Sequence, residues 1–262
     1  MDVAQLEALF LLVAKGSQMK ELDLLDTDLT SLEPQLLGLA INKLEKVNLS
    51  GSKLFGDQLN SMMDQLDFKS LHDLNFDYLD LSQISELGLS KLLSSARKIS
   101  LKKCKLTPQL LNAALEATEN KTKLKRVNLH GNILRGVCPE YLEGLAVQLD
   151  HLDLSQTDLP EETVTRVLTT LGTSDCRLRG LTLAGVSLSA VSADVMRLVM
   201  TKLERLDLSN CDLTPGQLNF ILADLSPPLR EISLFNVRLD ELDKEVLRRA
   251  NEKVFIKHRY HI

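Results

Sequence analysis

The chain has 262 residues and a mass of 29.3 kDa, and 44% of its residues are hydrophobic although only 4% are aromatic. Leucine supplies this excess, since 58 leucines make up roughly a fifth of the chain, about double ordinary usage. The net charge of −5 argues against a generally positive surface that binds nucleic acid. No apolar run is long enough for a membrane span, and the four scattered cysteines do not form a disulfide scaffold.

The first element in chain order is a helix. Leu6, Leu9, Phe10 and Val13 form an apolar stripe at helical spacing within residues 2–15, and no strand precedes it. Residues 1–18 are therefore predicted to be an N-terminal capping helix. A second interpretation stays open, in which the chain is a piece of a longer repeat array.

A repeat follows the helix. The pattern apolar-x-x-apolar-x-apolar, with another apolar residue five positions further on, occurs nine times within residues 19–250. The units begin at Met19, Leu44, Leu71, Ala96, Leu124, Leu149, Leu178, Leu203 and Leu229. Successive starts lie 25, 27, 25, 28, 25, 29, 25 and 26 residues apart, so short and long units alternate. Such regularity indicates a solenoid.

Each unit combines two periodicities. The Leu-x-Leu core predicts a short strand with alternate side chains turned inward, and the dozen residues after it have helical spacing. One strand and one helix cannot bury their apolar faces alone, so the units are expected to stack. The prediction is an α/β horseshoe solenoid with a parallel inner sheet of about 9–10 strands and helices on the convex side. In this register Leu154 is buried and Asp153 is exposed.

The last segment, residues 251–262, is predicted to close the solenoid. Val254-Phe255-Ile256 indicates a tenth strand, and a basic tail follows it. Charged residues there would keep the sheet edge soluble. With no linker or change in composition along the chain, residues 1–262 are predicted to form a single domain.

Two stretches of the repeat resemble a known family. Leu101-Lys-Lys-Cys104-Lys-Leu106 and Leu129-His-Gly-Asn132-Ile-Leu134 are similar to the alternating Cys-type and Asn-type units of leucine-rich repeats of the ribonuclease-inhibitor-like subclass. The resemblance covers nearly the whole chain. The sequence departs from the subclass because most units have 25–27 residues. The Cys or Asn position is also replaced in six units, by Thr27, Ser52, Leu79, Thr157, Val186 and Val237.

The exposed residues of the strands form the predicted partner-binding surface on the concave face. Basic residues of the fourth and fifth units come together there, and the C-terminal units add aromatic residues that could anchor a partner. The predicted binding residues are Tyr78, Lys98, Lys102, Lys103, Arg126, His130, Asp153, Asp207, Phe235 and Phe255. The alternative interpretation is an ordinary solvated face, with Phe235 and Phe255 packed on each other.

Motifs for chemistry are absent from the sequence. No phosphate-binding, nucleophile-elbow or zinc-protease pattern occurs, so no catalytic, cofactor-binding or metal-binding residue is predicted. Cys104 and Cys211 fall on inward positions and are expected to be structural. His258 and His261 lack further ligands at metal spacing and are expected to be tail residues.

The prediction for function is a cytoplasmic, non-catalytic interaction scaffold or sensor that binds a protein partner on its concave face. A large preformed surface lowers the ordering cost of association. The resemblance also implies alternatives: a regulator of a small GTPase, similar to Ran GTPase-activating proteins, or the repeat region of a larger innate-immune receptor or ubiquitin-ligase substrate adaptor. No nucleic-acid or membrane partner is expected, and the oligomeric state is not predicted.

Overall fold

A computed structural model describes residues 2–118 and 122–258 of the chain. The chain divides into two compact units, Met1–Asn128 and Leu129–Ile262, and strands alternate with helices in each. The end of the predicted basic tail, Arg259, Tyr260 and His261, lies outside the described residues.

The first unit holds five strands and five helices among its described residues. They are α1 Val3–Ala14, β1 Glu21–Asp23, α2 Pro34–Ile41, β2 Lys46–Asn48, α3 Gly56–Gln65, β3 Asp73–Asn75, α4 Glu86–Ser95, β4 Lys98–Ser100, α5 Pro108–Thr118 and β5 Arg126–Asn128. Strands β1 to β5 pair in parallel and in chain order. Each helix packs against the next helix along the chain.

The second unit repeats this arrangement within its described part. Its elements are α6 Pro139–Ala146, β6 His151–Asp153, α7 Glu161–Thr173, β7 Gly180–Thr182, α8 Ala193–Met200, β8 Arg205–Asp207, α9 Pro215–Ala223, β9 Glu231–Ser233, α10 Lys244–Lys253 and β10 Phe255–Lys257. Strands β6 to β10 are also parallel and in chain order. The predicted α/β solenoid is thus confirmed, with ten strands over the described residues.

Details at element ends differ slightly from the prediction. The closing strand lies at Phe255–Lys257, one residue later than the apolar run suggests. Pro215 stands in the first turn of α9, and Thr214 caps the helix by accepting a hydrogen bond from the Gln217 N–H. Pro160, by contrast, is the N-cap of α7 and not its first helical residue.

The core of each unit lies between its strands and its helices. Leu152 from β6 and Leu154 directly after it are both 2% exposed, and Val167 and Leu168 of α7 are equally buried. The predicted register is therefore confirmed at Leu154. Because strand side chains alternate between two faces, fixing these leucines inward also fixes which residues face outward.

A backbone feature follows every Leu-x-Leu core. The second residue after each core has a positive φ angle, between 52° and 73°. These residues are Asp26, Gly51, Tyr78, Lys103, Gly131, Gln156, Gly185, Asn210 and Asn236. In the first unit the N–H groups of Asp26, Gly51 and Tyr78 donate to carbonyls of the following repeat at 2.8–2.9 Å. The same bond links successive repeats of the second unit, for example from Gln156 to Ala184 at 2.8 Å.

Candidate functional site

The outward-facing polar residues of the strands have a structural task. Oδ1 of Asn48 accepts a hydrogen bond from the N–H of Ser50 at 3.0 Å, which closes the turn after β2. Asp153 and Asp207 accept in the same way from Ser155 and Ser209, both at 2.9 Å. Asp153 is half-buried instead of exposed. Asp153 and Asp207, both predicted to bind a partner, therefore also stabilise the turns that follow their strands. An Asp or Asn two positions before the hydrogen-bonded N–H is the sequence signal for this role.

Four predicted basic residues lie on the strand face of the first unit, and we call Lys98, Lys102, Lys103 and Arg126 the basic cluster. Lys98 of β4 and Arg126 of β5 are register neighbours, and both side chains are exposed. Lys102 and Lys103 follow β4 directly, and Lys103 is exposed at a φ of 52°. The structure thus brings these four residues onto two adjacent strands.

Tyr78 stands beside the basic cluster as an aromatic anchor. Its side chain is 53% exposed, and Lys102 Nζ lies 5.4 Å from the centroid of its ring, a cation–π distance. The Tyr78 N–H donates to the Lys102 carbonyl at 2.8 Å, so the backbone fixes the two residues relative to each other. The aromatic and cationic groups are therefore positioned before any partner arrives.

Acidic residues of this face are interleaved with lysines. Asp73 Oδ2 lies 2.9 Å from Lys98 Nζ, and Glu21 pairs with Lys46 in the same way. Asp77 Oδ1 accepts from the Lys102 N–H at 2.9 Å and so supports the turn. The ion pairs Asp73–Lys98 and Glu21–Lys46 were not predicted from the sequence, where their signal is an acidic residue followed by a lysine 25 positions later. Because Lys98 is paired with Asp73, part of the positive charge of the cluster is neutralised within the strand face.

In the second unit, His130, Ser155 and Asp153 form a chain of hydrogen bonds. His130 Nδ1 lies 2.8 Å from Ser155 Oγ, and the Ser155 hydroxyl donates to Asp153 Oδ1. The serine proton is therefore directed at the carboxylate, and the imidazole Nδ1–H donates to the serine oxygen. A catalytic triad needs the opposite order, with histidine between serine and carboxylate. This arrangement orients His130 and does not activate Ser155.

The two predicted aromatic anchors of the second unit differ in exposure. Phe255 of β10 is 64% exposed, whereas Phe235 after β9 is half-buried and its N–H donates to Ser209 Oγ at 3.1 Å. Two cations of this unit are paired with carboxylates, since Lys257 Nζ lies 2.8 Å from Glu231 and Arg238 lies 3.1 Å from Glu241. Phe255 is thus an exposed aromatic group beside neutralised charges.

Comparison with known proteins agrees with this geometry. A family model described as Leucine Rich Repeat matches residues 202–225, which contain β8 and α9. The crystal structure of the leucine-rich repeat-containing protein LegL7 from Legionella pneumophila is similar, with a TM-score of 0.57 over 92% of this chain and 83% of that chain at 17% identity. The chain has a leucine-rich-repeat fold. No curated protein matches its sequence.

The inner position that carries Cys or Asn in the resembling family links neighbouring repeats of this leucine-rich-repeat protein. Cys104 Sγ donates to the Phe76 carbonyl at 3.0 Å, and Cys211 Sγ donates to the Leu183 carbonyl at 3.2 Å. Ser52 makes the equivalent bond to the Leu24 carbonyl, so one of the replaced positions keeps the link. Assignment to the ribonuclease-inhibitor-like subclass stays a prediction.

The buried cysteines of the leucine-rich-repeat protein are poor nucleophiles. Burial raises the pKa of the Cys104 thiol to about 12 and that of the Cys211 thiol to about 11. The thiolate is the reactive form, so both thiols stay protonated and unreactive near neutral pH. Their structural role agrees with the expectation from sequence.

Within residues 2–118 and 122–258, no three His, Cys, Asp or Glu side chains are grouped so that they could hold a metal ion. Over the same part of the chain, none of the helices has the length and apolarity to cross a bilayer.

Proposed function

We propose that this leucine-rich-repeat protein is a non-catalytic scaffold or sensor that binds a protein partner through the strand face of its first unit. Leucine-rich-repeat folds generally mediate protein binding, and the observation that carries the proposal is the exposed Tyr78–Lys102 stack within the basic cluster. The site accepts an acidic segment of a partner, with carboxylates contacting Lys103 and Arg126.

The energetic argument rests on preorganisation. Tyrosine and arginine are enriched among the residues that dominate interface energy. Tyr78 and Lys102 are already fixed to each other by a backbone hydrogen bond, so less conformational entropy is lost when a partner binds. Exposed cations also raise the rate of encounter with an acidic partner.

The proposal of a non-catalytic role is supported by the chemistry of the candidate groups. The Ser155 hydroxyl donates a hydrogen bond to Asp153, and burial raises the pKa of the Cys104 and Cys211 thiols, which makes them less reactive. The proposal includes a reducing, cytoplasmic location, for which the support is that the four cysteines are scattered along the sequence and form no dense cluster.

The test is a comparison of partner capture by matched variants. We expect Tyr78→Ala/Lys102→Glu/Arg126→Glu to lose the partner that the wild-type chain retains from cytosol, because the aromatic anchor and two cations are removed. The control variant is Leu39→Ala/Lys43→Glu/Lys123→Glu, which removes an exposed apolar side chain and reverses two charges outside the strand face. Circular dichroism must first show that both variants are folded.

Retention of the partner by the strand-face variant, or equal loss from both variants, would contradict the proposal. A GTP-hydrolysis assay with small GTPases distinguishes the scaffold proposal from the alternative of a small-GTPase regulator. A stimulated rate that disappears in the strand-face variant would assign the same surface to GTPase regulation.

A further inference from the structure

A cavity of about 370 Å³ lies between α8 and α9 in the second unit, and none of its lining residues belongs to the proposed strand-face site. Met200, Ile221, Leu225 and Leu229 form its apolar floor, and each is at most 5% exposed. Leu198 is part of the lining and is 48% exposed. The size and the apolar floor are typical of ligand-binding pockets.

The close packing of α8 on α7 accounts for the gap. A Cβ atom at Gly172 of α7 would lie 2.9 Å from Leu198 Cβ, so the missing side chain lets α8 approach α7 closely. Helix α8 packs more extensively on α7 than on α9. The space is therefore left on the α9 side, where Leu198 presents its outer edge.

The rim of the cavity carries one cation and two carboxylates, and an aromatic ring outside the lining stacks on the cation. The Arg197 guanidinium lies 4.9 Å from the centroid of the Phe220 ring, and its Nη2 donates to Asp224. Phe220 is 40% exposed. Asp194 lies in the first turn of α8 and is exposed. Because Arg197 and Asp224 neutralise each other, Asp194 leaves the rim with a net negative charge.

We propose that this cavity is a second docking site, which takes an amphipathic helical segment of a partner protein with two large apolar side chains and a flanking Lys or Arg. Apolar side chains four positions apart on a helix point in one direction and can enter one pocket together. A cation beside them would face Asp194 and complement the charge of the rim. Stacking on Phe220 and the hydrogen bond to Asp224 hold the Arg197 guanidinium in place at the rim.

The experiment uses the full chain and a fluorescently labelled peptide of about four helical turns, with Leu at positions i and i+4 and flanking Lys. The matched peptides carry Glu in place of Lys, or Ser in place of both Leu. Anisotropy should show that the Leu/Lys peptide binds about tenfold more tightly than either counterpart. Asp194→Lys should weaken this binding about tenfold.

The control Asp240→Lys makes the same charge change at an exposed residue outside the cavity and should alter the affinity less than about twofold. Methyl NMR locates the peptide, because the Met200 signal should move while that of Met62 in the first unit stays. Lys102→Glu should leave peptide binding unchanged, so this proposal and the strand-face proposal fail separately.

Three outcomes would overturn the inference. Equal weakening by Asp194→Lys and Asp240→Lys would show attraction to the net charge of the chain alone. An unmoved Met200 signal would place the peptide elsewhere. A small apolar amine that shifts Met200 when the Leu/Lys peptide does not would assign the cavity to a small molecule.

Discussion

At the scale of single residues, the positive-φ position sets the geometry between repeats. In most repeats the backbone N–H of this residue donates a hydrogen bond to a carbonyl of the next repeat. The position has a positive φ angle in all nine repeats, and it is occupied by glycine, asparagine or aspartate, or by Tyr78, Lys103 or Gln156. For residues other than glycine, asparagine and aspartate, this left-handed backbone conformation is energetically unfavourable. Tyr78 thus occupies a strained position that also displays its ring.

Glycine replacement tests this cost. Gly185→Ala should lower the free energy of unfolding by about 1 kcal/mol, because φ is +73° and the new Cβ meets only ordinary contacts. Gly51→Ala should lower it by a similar amount, since φ is +66° and the close atom, Asp26 Oδ1, is the end of an exposed side chain that can turn away. Urea denaturation measures both values. Unchanged stability of Gly185→Ala would mean that the backbone there is not held in the left-handed region.

The buried thiols predict a dependence of stability on alkaline pH. The folded pKa values of Cys104 and Cys211, about 12 and about 11, lie above the ordinary value of 9.0. Above pH 9 the unfolded chain therefore binds fewer protons than the folded chain, and the free energy of unfolding falls as pH rises through about 9 to 12. Below pH 9 these thiols should contribute no slope.

The control for this prediction is Cys104→Ala/Cys211→Ala, measured by urea denaturation between pH 8 and pH 11. The variant should be less stable at neutral pH but should lose less stability on raising the pH. Parallel curves for the two proteins would show that other groups cause the alkaline loss.

At the scale of elements, side chains in the first helical turn tie one repeat to the previous one. Gln217 Nε2 donates to the carbonyls of Ser189 and Val191 at 3.2 and 2.8 Å, and its Oε1 accepts from the Thr214 N–H at 2.8 Å. Gln58 of α3 reaches the carbonyls of Leu29 and Leu32 in the same way. A helix start is thus also a repeat-to-repeat contact.

Removal of the Gln217 amide should therefore lower the free energy of unfolding more than removal of the Thr214 cap. Thr214→Ala should lower the stability by about 1 kcal/mol, the usual loss for an N-cap. Gln217→Ala should lower it by about 1–3 kcal/mol, because carbonyls of the previous repeat lose their donors. Thermal denaturation of both variants provides the comparison. An equal or smaller loss for Gln217→Ala would show that water replaces the amide.

The strand register makes a second prediction at this scale. Leu154 is 2% exposed, so Leu154→Ala should cost about 2–5 kcal/mol through lost burial and a residual cavity. Asp153→Ala should cost about 1 kcal/mol, since it removes the acceptor of two hydrogen bonds from Ser155. A loss below about half a kcal/mol for Leu154→Ala would be typical of a surface position and would contradict the register.

At the scale of the whole molecule, each unit carries its own candidate surface. The first unit has the basic cluster with Tyr78, and the second has the α8–α9 cavity with an acidic rim. The chain as a whole has a net charge of −5, so the basic cluster is a local reversal of the overall charge. The acidic partner that we propose would therefore be attracted to the basic cluster and repelled by the net charge of the chain.

Salt should act on strand-face binding. Raising the ionic strength from about 0.1 M to about 1 M shortens the Debye length from about 10 Å to about 3 Å, and partner affinity should fall several-fold. Titration of the purified partner at each salt concentration measures this dependence. The Lys102→Glu/Arg126→Glu variant should show a much weaker dependence, and the same slope for both proteins would contradict an electrostatic contact.

Much of the fold could be predicted from leucine spacing alone. The nine repeats, the parallel strands, the burial of Leu154 and the structural role of Cys104 follow from periods of two and about 26 residues, because only one register turns the leucines of the Leu-x-Leu cores inward. The candidate site was predicted in part. The four basic residues do come together, but the ion pair of Lys98 with Asp73 and the stacking of Lys102 on Tyr78 were not predicted.

The sequence by itself determined the repeat, the fold class and the columns of exposed residues, since these depend on periodicity along one chain. Only the tertiary structure decided the positive-φ links, the order of the His130–Ser155–Asp153 bonds and the cavity beside α8. These features depend on distances between groups some 25 residues apart and on how closely Gly172 lets two helices approach. Such distances are set by side-chain packing in three dimensions, which hydrophobic spacing does not specify.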